Sequence, residues 1–140
     1  MTNPFSTYAQ NTINGAGKGD QVAMLLNRAA QHMQTMKTHI DASEYEASNK
    51  ASEKATDIVV GLMGWLSKDI PEAQSVVATL ENYYLMLLDL ISKACIRNDI
   101  SLCDSAIKSM NDMAAMWRQI ERQFTQPNGT FDESQVSAAI

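Results

Sequence analysis

Four stretches of this chain carry apolar residues three and four positions apart, and stretches rich in Gly, Pro, Asp or Asn separate them. That spacing puts each apolar set on one face of a helix and cannot be laid on a strand, where the period is two. The first stripe is Val22, Leu25, Leu26, Ala29, Met33, Met36 and Ile40. The second is Ala51, Ala55, Ile58, Leu62, Trp65 and Leu66. The third is Ala73, Val76, Val77, Leu80, Tyr84, Leu87, Ile91 and Ala94, and the fourth Leu102, Cys103, Ala106, Met110, Met113, Trp117, Ile120 and Phe124. The expected fold is therefore all-α, an antiparallel up-down four-helix bundle with a short N-terminal cap segment.

The breaks between stripes set the expected boundaries. Gly15-Ala-Gly17-Lys-Gly19 ends a leader over residues 1–19, and Asp20 is the expected N-cap of a helix running to about Asp41. A turn over 41–48 leads to a second helix from about Glu46 to Ser67. Lys68-Asp69-Ile70-Pro71-Glu72 interrupts the pattern, with Asp69 as cap and Pro71 in the tolerant first turn of a third helix over about 70–96. Ser101-Leu-Cys-Asp104 resembles a capping box for a fourth helix over about 101–124. Residues 1–124 then form one domain, and 125–140 a loose tail. A chain of 140 residues buries a real core without staples.

Charge and composition narrow the function. The net charge of −5 speaks against nucleic acid, which requires a basic face. No run approaches eighteen apolar residues, so membrane insertion is not expected, and residues 1–6 have neither the basic nor the apolar part of a secretion signal. The expected location is the cytosol. There Cys95 and Cys103 stay reduced; buried small residues or a redox switch are the two readings open to them.

No cofactor or metal is expected. His32 and His39 lie two turns apart on one helix, about 10 Å, and no Glu has a His three residues later, so neither a single-ion nor a di-iron bundle site is laid out. The glycine cluster at 15–19 lacks the Gly-Lys-Ser/Thr of a phosphate loop and reads as a hinge. With both histidines among Gln, Lys and Thr on an outer face, an enzyme is not expected.

Two features point to binding instead. Eight methionines besides Met1 fall on or beside the stripes, where they serve either as core filler or as an adaptable groove. The run Tyr83 to Leu88 covers the whole circumference of a helix. Either that helix is the most enclosed, or part of its surface serves a partner.

The leader Tyr8-x-Gln10-Asn11-x-Ile13-Asn14-x-Ala16 comes first in an ordered set of short matches. Met24-Leu25, Lys54-Ala55-x-x-Ile58-Val59-x-x-Leu62, Leu80 and Tyr84, Ala94-x-x-x-Asn98-Asp99 and Trp117-x-x-Ile120 follow. The set spans about 115 residues and resembles the flagellar secretion chaperone FliS family. The chain departs from the family in having Gly17-Lys18 for Ser-Pro, Leu26-Asn27-Arg28 for Tyr-Asp-Gly, and Ile70-Pro71-Glu72 where many members carry glycines.

The resemblance implies a cytosolic, non-enzymatic chaperone that binds the disordered C-terminal segment of flagellin. Such a protein prevents premature polymerisation and delivers its client to the flagellar export apparatus. The expected partner contacts are Tyr8, Ile13, Met24, Leu25, Tyr84, Leu87 and Ile91; the aromatic-bearing leader, tethered by its glycine hinge, either covers a groove until the client arrives or packs permanently as part of the fold. A structural or regulatory bundle that forms a homodimer, or binds another helical partner through its third helix, is the rival expectation.

Overall fold

The computed structural model describes residues 18–66 and 74–124. Four helices are present: α1 over Lys18–Asp41, α2 over Tyr45–Gly64, α3 over Gln74–Arg97 and α4 over Ile100–Phe124. No strand occurs among the described residues. Helix α1 packs most extensively, against α4 and α2, while α3 closes the ring by packing more thinly on α2 and α4.

Side-chain contacts fix the direction of each seam. Lys37 Nζ bonds Asp104 Oδ1 at 2.9 Å and Asn27 Nδ2 bonds Asn111 Oδ1 at 2.9 Å, so α1 and α4 run antiparallel. Cys95, late in α3, reaches Asn49, early in α2, which makes that pair antiparallel too. The architecture is the up-down bundle expected from the stripes.

Burial follows the stripes closely. Leu26, Met33, Met36, Leu62, Tyr84, Leu87, Ile91, Met110 and Trp117 are the large side chains at its centre. Helix α1 buries more of its circumference than one stripe predicts, because Ala23 and Ala30 are enclosed as well. The α2 side of that seam is built from small residues, Ser48, Ala51, Ser52 and Ala55, which let two backbones approach closely. Ser52 Oγ donates to the Asn49 carbonyl at 2.7 Å, whereas Ser48 Oγ has no partner. Serine hydroxyls are usually read as outward-facing, so the sequence pattern passed over both.

The connections explain several shifted boundaries. Ser43 has φ 57 and Asn98 has φ 48, left-handed conformations that stop α1 and α3. At each stop the same two hydrogen bonds form: Ser43 N–H to Ile40 O and Glu44 N–H to His39 O, then Asn98 N–H to Cys95 O and Asp99 N–H to Ala94 O. This is a Schellman closure, which satisfies the carbonyls left over at a helix end. Asp99 then turns at once into the cap of α4, its Oδ1 accepting from Leu102 N–H at 3.2 Å. The cap is thus Asp99 rather than Ser101. A carboxylate accepts the free N–H groups of the first turn more strongly than a hydroxyl does.

Other expectations needed similar adjustment. Helix α1 begins at Lys18, so Asp20 lies inside its first turn, where the helix dipole favours an anion, and is not the cap. Helix α2 stops at Gly64, three residues short of the expected end. Trp65 and Leu66 N–H groups bond Leu62 and Met63 carbonyls instead, tightening the chain out of the helix. The expected Asp69 cap, Pro71, Glu72 and Ala73 lie outside the described residues, as do leader residues 1–17 and the tail; Lys18 and Gly19, expected in the leader's glycine hinge, instead form the first turn of α1, with Gly19 buried.

Ser43 offers a direct check on this account. A non-glycine residue in the left-handed region costs about 1 kcal/mol, which glycine avoids. Ser43→Gly should therefore raise stability by about 0.5 to 1 kcal/mol in thermal or denaturant melts, despite glycine's greater freedom in the unfolded chain. A loss of stability would show that the serine side chain contributes more than its backbone geometry costs.

Candidate docking surface on the third helix

Four of the seven residues assigned to partner contact lie in the core. Leu25, Tyr84, Leu87 and Ile91 are all at most 3% exposed, and Met24 is half-buried. Tyr8 and Ile13 lie outside the described residues. The reason for the burial is positional: Tyr84, Leu87 and Ile91 continue the stripe of Val77 and Leu80 and meet α2 and α4. They hold α3 in place, and the solvent-facing surface belongs to their neighbours.

That surface is mixed, with large apolar side chains exposed among Asn82, Asp89, Ser92 and Lys93. Leu85 is 47% exposed, Met86 40% and Ile96 77%, three of the six exposed large hydrophobic residues among those described. Val76, Tyr83, Leu88, Leu90 and Cys95 lie partly buried on the flanks of the same helix. Leu85, Leu88 and Ile96, spaced three and eight apart, line one flank; Tyr83, Met86 and Leu90 line the other. The apolar arc of α3 is thus wider than α2 and α4 together cover. Helix α3 is therefore not the most enclosed of the four: Tyr84 and Leu87 face inward, while Leu85 and Met86 face water.

The methionines divide the same way. Met33, Met36, Met110 and Met113 fill the core, Met24 and Met63 are half-buried, and Met86 and Met116 are exposed. A flexible thioether at an exposed position adapts to differently shaped apolar partners. The sequence signal for Leu85, Met86 and Ile96 was the unbroken apolar run. The 3.6-residue stripe, which selects inward positions, could not single them out.

Polar groups nearby are arranged for solubility. Lys93 pairs with Asp89 at 2.8 Å, and Lys108 with Asp112 at 2.6 Å, both exposed. Pairs of this kind contribute little to stability. Lys108 lies four residues from both Asp104 and Asp112, but Asp104 turns to Lys37 on α1. His32 is held below its ordinary pKa, first by burial and then by Lys54 and Arg28. His39 Nδ1 lies 3.1 Å from Glu44 Oε1 across the α1–α2 turn.

Two buried ionisable groups have perturbed acidity. Burial, reinforced by Asp104 and Asp99, pushes the Cys103 thiol up to about 11. Burial also pushes the Tyr84 phenol well above its ordinary value; the Trp117 indole beside it opposes that shift without reaching hydrogen-bond geometry. Cys95 is half-buried and donates its S–H to Asn49 Oδ1 at 3.1 Å.

A labelling prediction follows from the contrast. Because only the thiolate reacts, Cys103 should resist alkylation near neutral pH until the protein unfolds, while Cys95 reacts faster. The folded state disfavours the Cys103 thiolate and the Tyr84 phenolate, so its stability should hold below pH 9 and fall as pH rises through 9 to 11, where the Cys103 thiol of the unfolded chain ionises first. Rapid native labelling of Cys103, or stability rising across that window, would contradict the placement.

Fold and surface together define an antiparallel helical bundle with several large apolar side chains exposed on its third helix. The family model described as "Flagellar protein FliS" matches residues 1–124, and the chain belongs to that family. It is similar to a protein named Flagellar secretion chaperone FliS from Bacillus subtilis (strain 168). The two are 26% identical over 119 residues, covering 85% of this chain and 86% of that protein. Within the described residues, the Ala94-x-x-x-Asn98-Asp99 element of the resemblance is the α3–α4 connection itself. There Ala94 supplies a carbonyl, Asn98 the left-handed turn and Asp99 the next cap. No described helix is long and apolar enough to cross a membrane.

Proposed function

We propose that this chain is a cytosolic export chaperone that captures the C-terminal segment of flagellin, keeps it from polymerising early and delivers it to the flagellar export apparatus. Membership of the FliS family and the name of the Bacillus relative support the chaperone role. The observation that carries the client-binding reading is the set of large apolar side chains left exposed on α3. A helix with exposed Leu85, Met86 and Ile96 offers an amphipathic client helix a place to bury its own stripe.

The magnitudes suit capture and release. Covering each of these three side chains contributes roughly 1 kcal/mol, since each is already part-covered. The client must lose the freedom of its disordered state to gain that contact, which leaves a moderate net affinity. Tyr84, Leu87 and Ile91 serve as positioning residues beneath the face. Met24, with Leu25 beneath it, marks a second place of contact on α1, over which Tyr8 and Ile13 of the leader close in the free protein.

Calorimetry with a peptide from the C-terminus of flagellin, combined with circular dichroism, tests this. The expected result is a 1:1 complex with newly formed helix. Absence of binding at tens of micromolar peptide (about −6 kcal/mol) would exclude the role. Deleting residues 1–15 should leave a folded bundle that associates with the peptide faster; an unchanged rate would show that the leader gates nothing. The same α3 face would also serve a second copy of the chain. Sedimentation separates that rival reading, because a self-associating bundle dimerises without any client.

A further inference from the structure

We infer that α3 is a detachable helix, which leaves as a unit and returns while α1, α2 and α4 stay packed on one another. Three observations single it out from the other helices.

The first is how much holds it. Helices α1 and α3 are both 24 residues long, but α1 buries ten of them and α3 six. Helix α1 packs broadly on α2 and on α4, whereas both seams of α3 are thinner. Apolar burial is the main force holding a helix to its neighbours, so α3 gives up the least of the four on leaving.

The second is polar linkage. The α1–α4 seam is bridged by Lys37 to Asp104 and by Asn27 to Asn111, each at 2.9 Å. His39 and Glu44, 3.1 Å apart, tie the end of α1 to the start of α2. The α2–α3 seam is bridged by the Cys95 thiol to Asn49 Oδ1, and a thiol is a weak donor. In the α3–α4 seam the Trp117 indole N–H is buried beside Tyr84 without a hydrogen-bond partner. An unpaired buried donor counts against the closed seam, and opening returns it to water.

The third is a pivot. Helix α3 ends at Arg97 and α4 begins at Ile100, so Asn98 and Asp99 are the whole connection. Asn98 already holds a left-handed conformation there. Rotation at these two residues moves α3 without disturbing α1, whose packing is on α2 and α4.

Opening uncovers Tyr84, Leu87 and Ile91 on α3 together with Trp117 on α4. In the closed bundle each is at most 2% exposed, so a partner reaches these side chains through this opening. The inference does not rest on the flagellin reading, and its test contains no client.

Native-state hydrogen exchange of the full chain at neutral pH, read by mass spectrometry, provides the test. Protection over residues 80–94 should be at least about tenfold lower than over residues 25–36 of α1. One common protection factor for all four helices, or lower protection in any other helix than in α3, would overturn the inference. Ala30→Gly gives a second readout. Ala30 is buried on α1 between Asn27 and Lys37, the two residues that bond α4. A glycine there should speed exchange in α1 about fivefold and leave α3 unchanged, because α1 stays helical when α3 opens. Equal acceleration of both helices would show that α3 leaves only when the whole chain unfolds.

Discussion

Replacing Trp117 with alanine should destabilise the bundle by about 3 to 5 kcal/mol. Trp117 is the largest fully enclosed side chain and sits beside Tyr84 in the seam between α3 and α4, each of them 2% exposed. Its indole N–H has no hydrogen-bond partner, so the loss is one of packing and burial, with no polar group left orphaned. Against a typical domain stability of about 5 to 15 kcal/mol, the variant should melt roughly 10 °C or more below the parent. Trp117→Phe should cost much less, because it keeps most of the apolar volume. A Trp117→Ala protein with parental stability would mean that α3 and α4 are not joined through this residue.

The second large effect concerns binding. Leu85→Asp combined with Met86→Asp alters two side chains that are more than half covered and sets a new carboxylate four residues from both Glu81 and Asp89, so the fold should lose about 1 to 2 kcal/mol while the core stays intact. Affinity for a flagellin C-terminal peptide should fall at least about 30-fold, or about 2 kcal/mol. Two apolar contacts would be lost, and two carboxylates would be desolvated against an apolar client. Titration calorimetry on both proteins measures the difference. Equal affinities would move the client off α3 and onto the surface near Met24.

Much of this fold was legible because helical periodicity reports inward positions well. The stripes named Leu26, Met33, Leu62, Tyr84, Met110 and Trp117, and all are buried. Caps were harder. Ser101 carries a capping pattern as good as that of Asp99, and the choice between them depends on where α3 stops, which a left-handed Asn98 decides. Small polar residues were also misleading, since Ser48 and Ser52 are buried by a close helix approach that no single helix encodes.

The docking surface was less legible for a related reason. Tyr84, Leu87 and Ile91 drew attention as the apolar residues of α3, but periodicity sends them to the core. The exposed Leu85, Met86 and Ile96 break the period, and recognising them requires knowing how much of α3 its neighbours cover. That depends on the packing of α2 and α4, which is a property of the assembled bundle.

Seeded polymerisation of purified flagellin, followed by light scattering, tests the central claim most directly. An equimolar amount of this chain should suppress filament growth by holding the flagellin C-terminal segment, and the Leu85→Asp, Met86→Asp variant should suppress it far less. Growth at the same rate with and without a saturating amount of the parent protein would contradict the account.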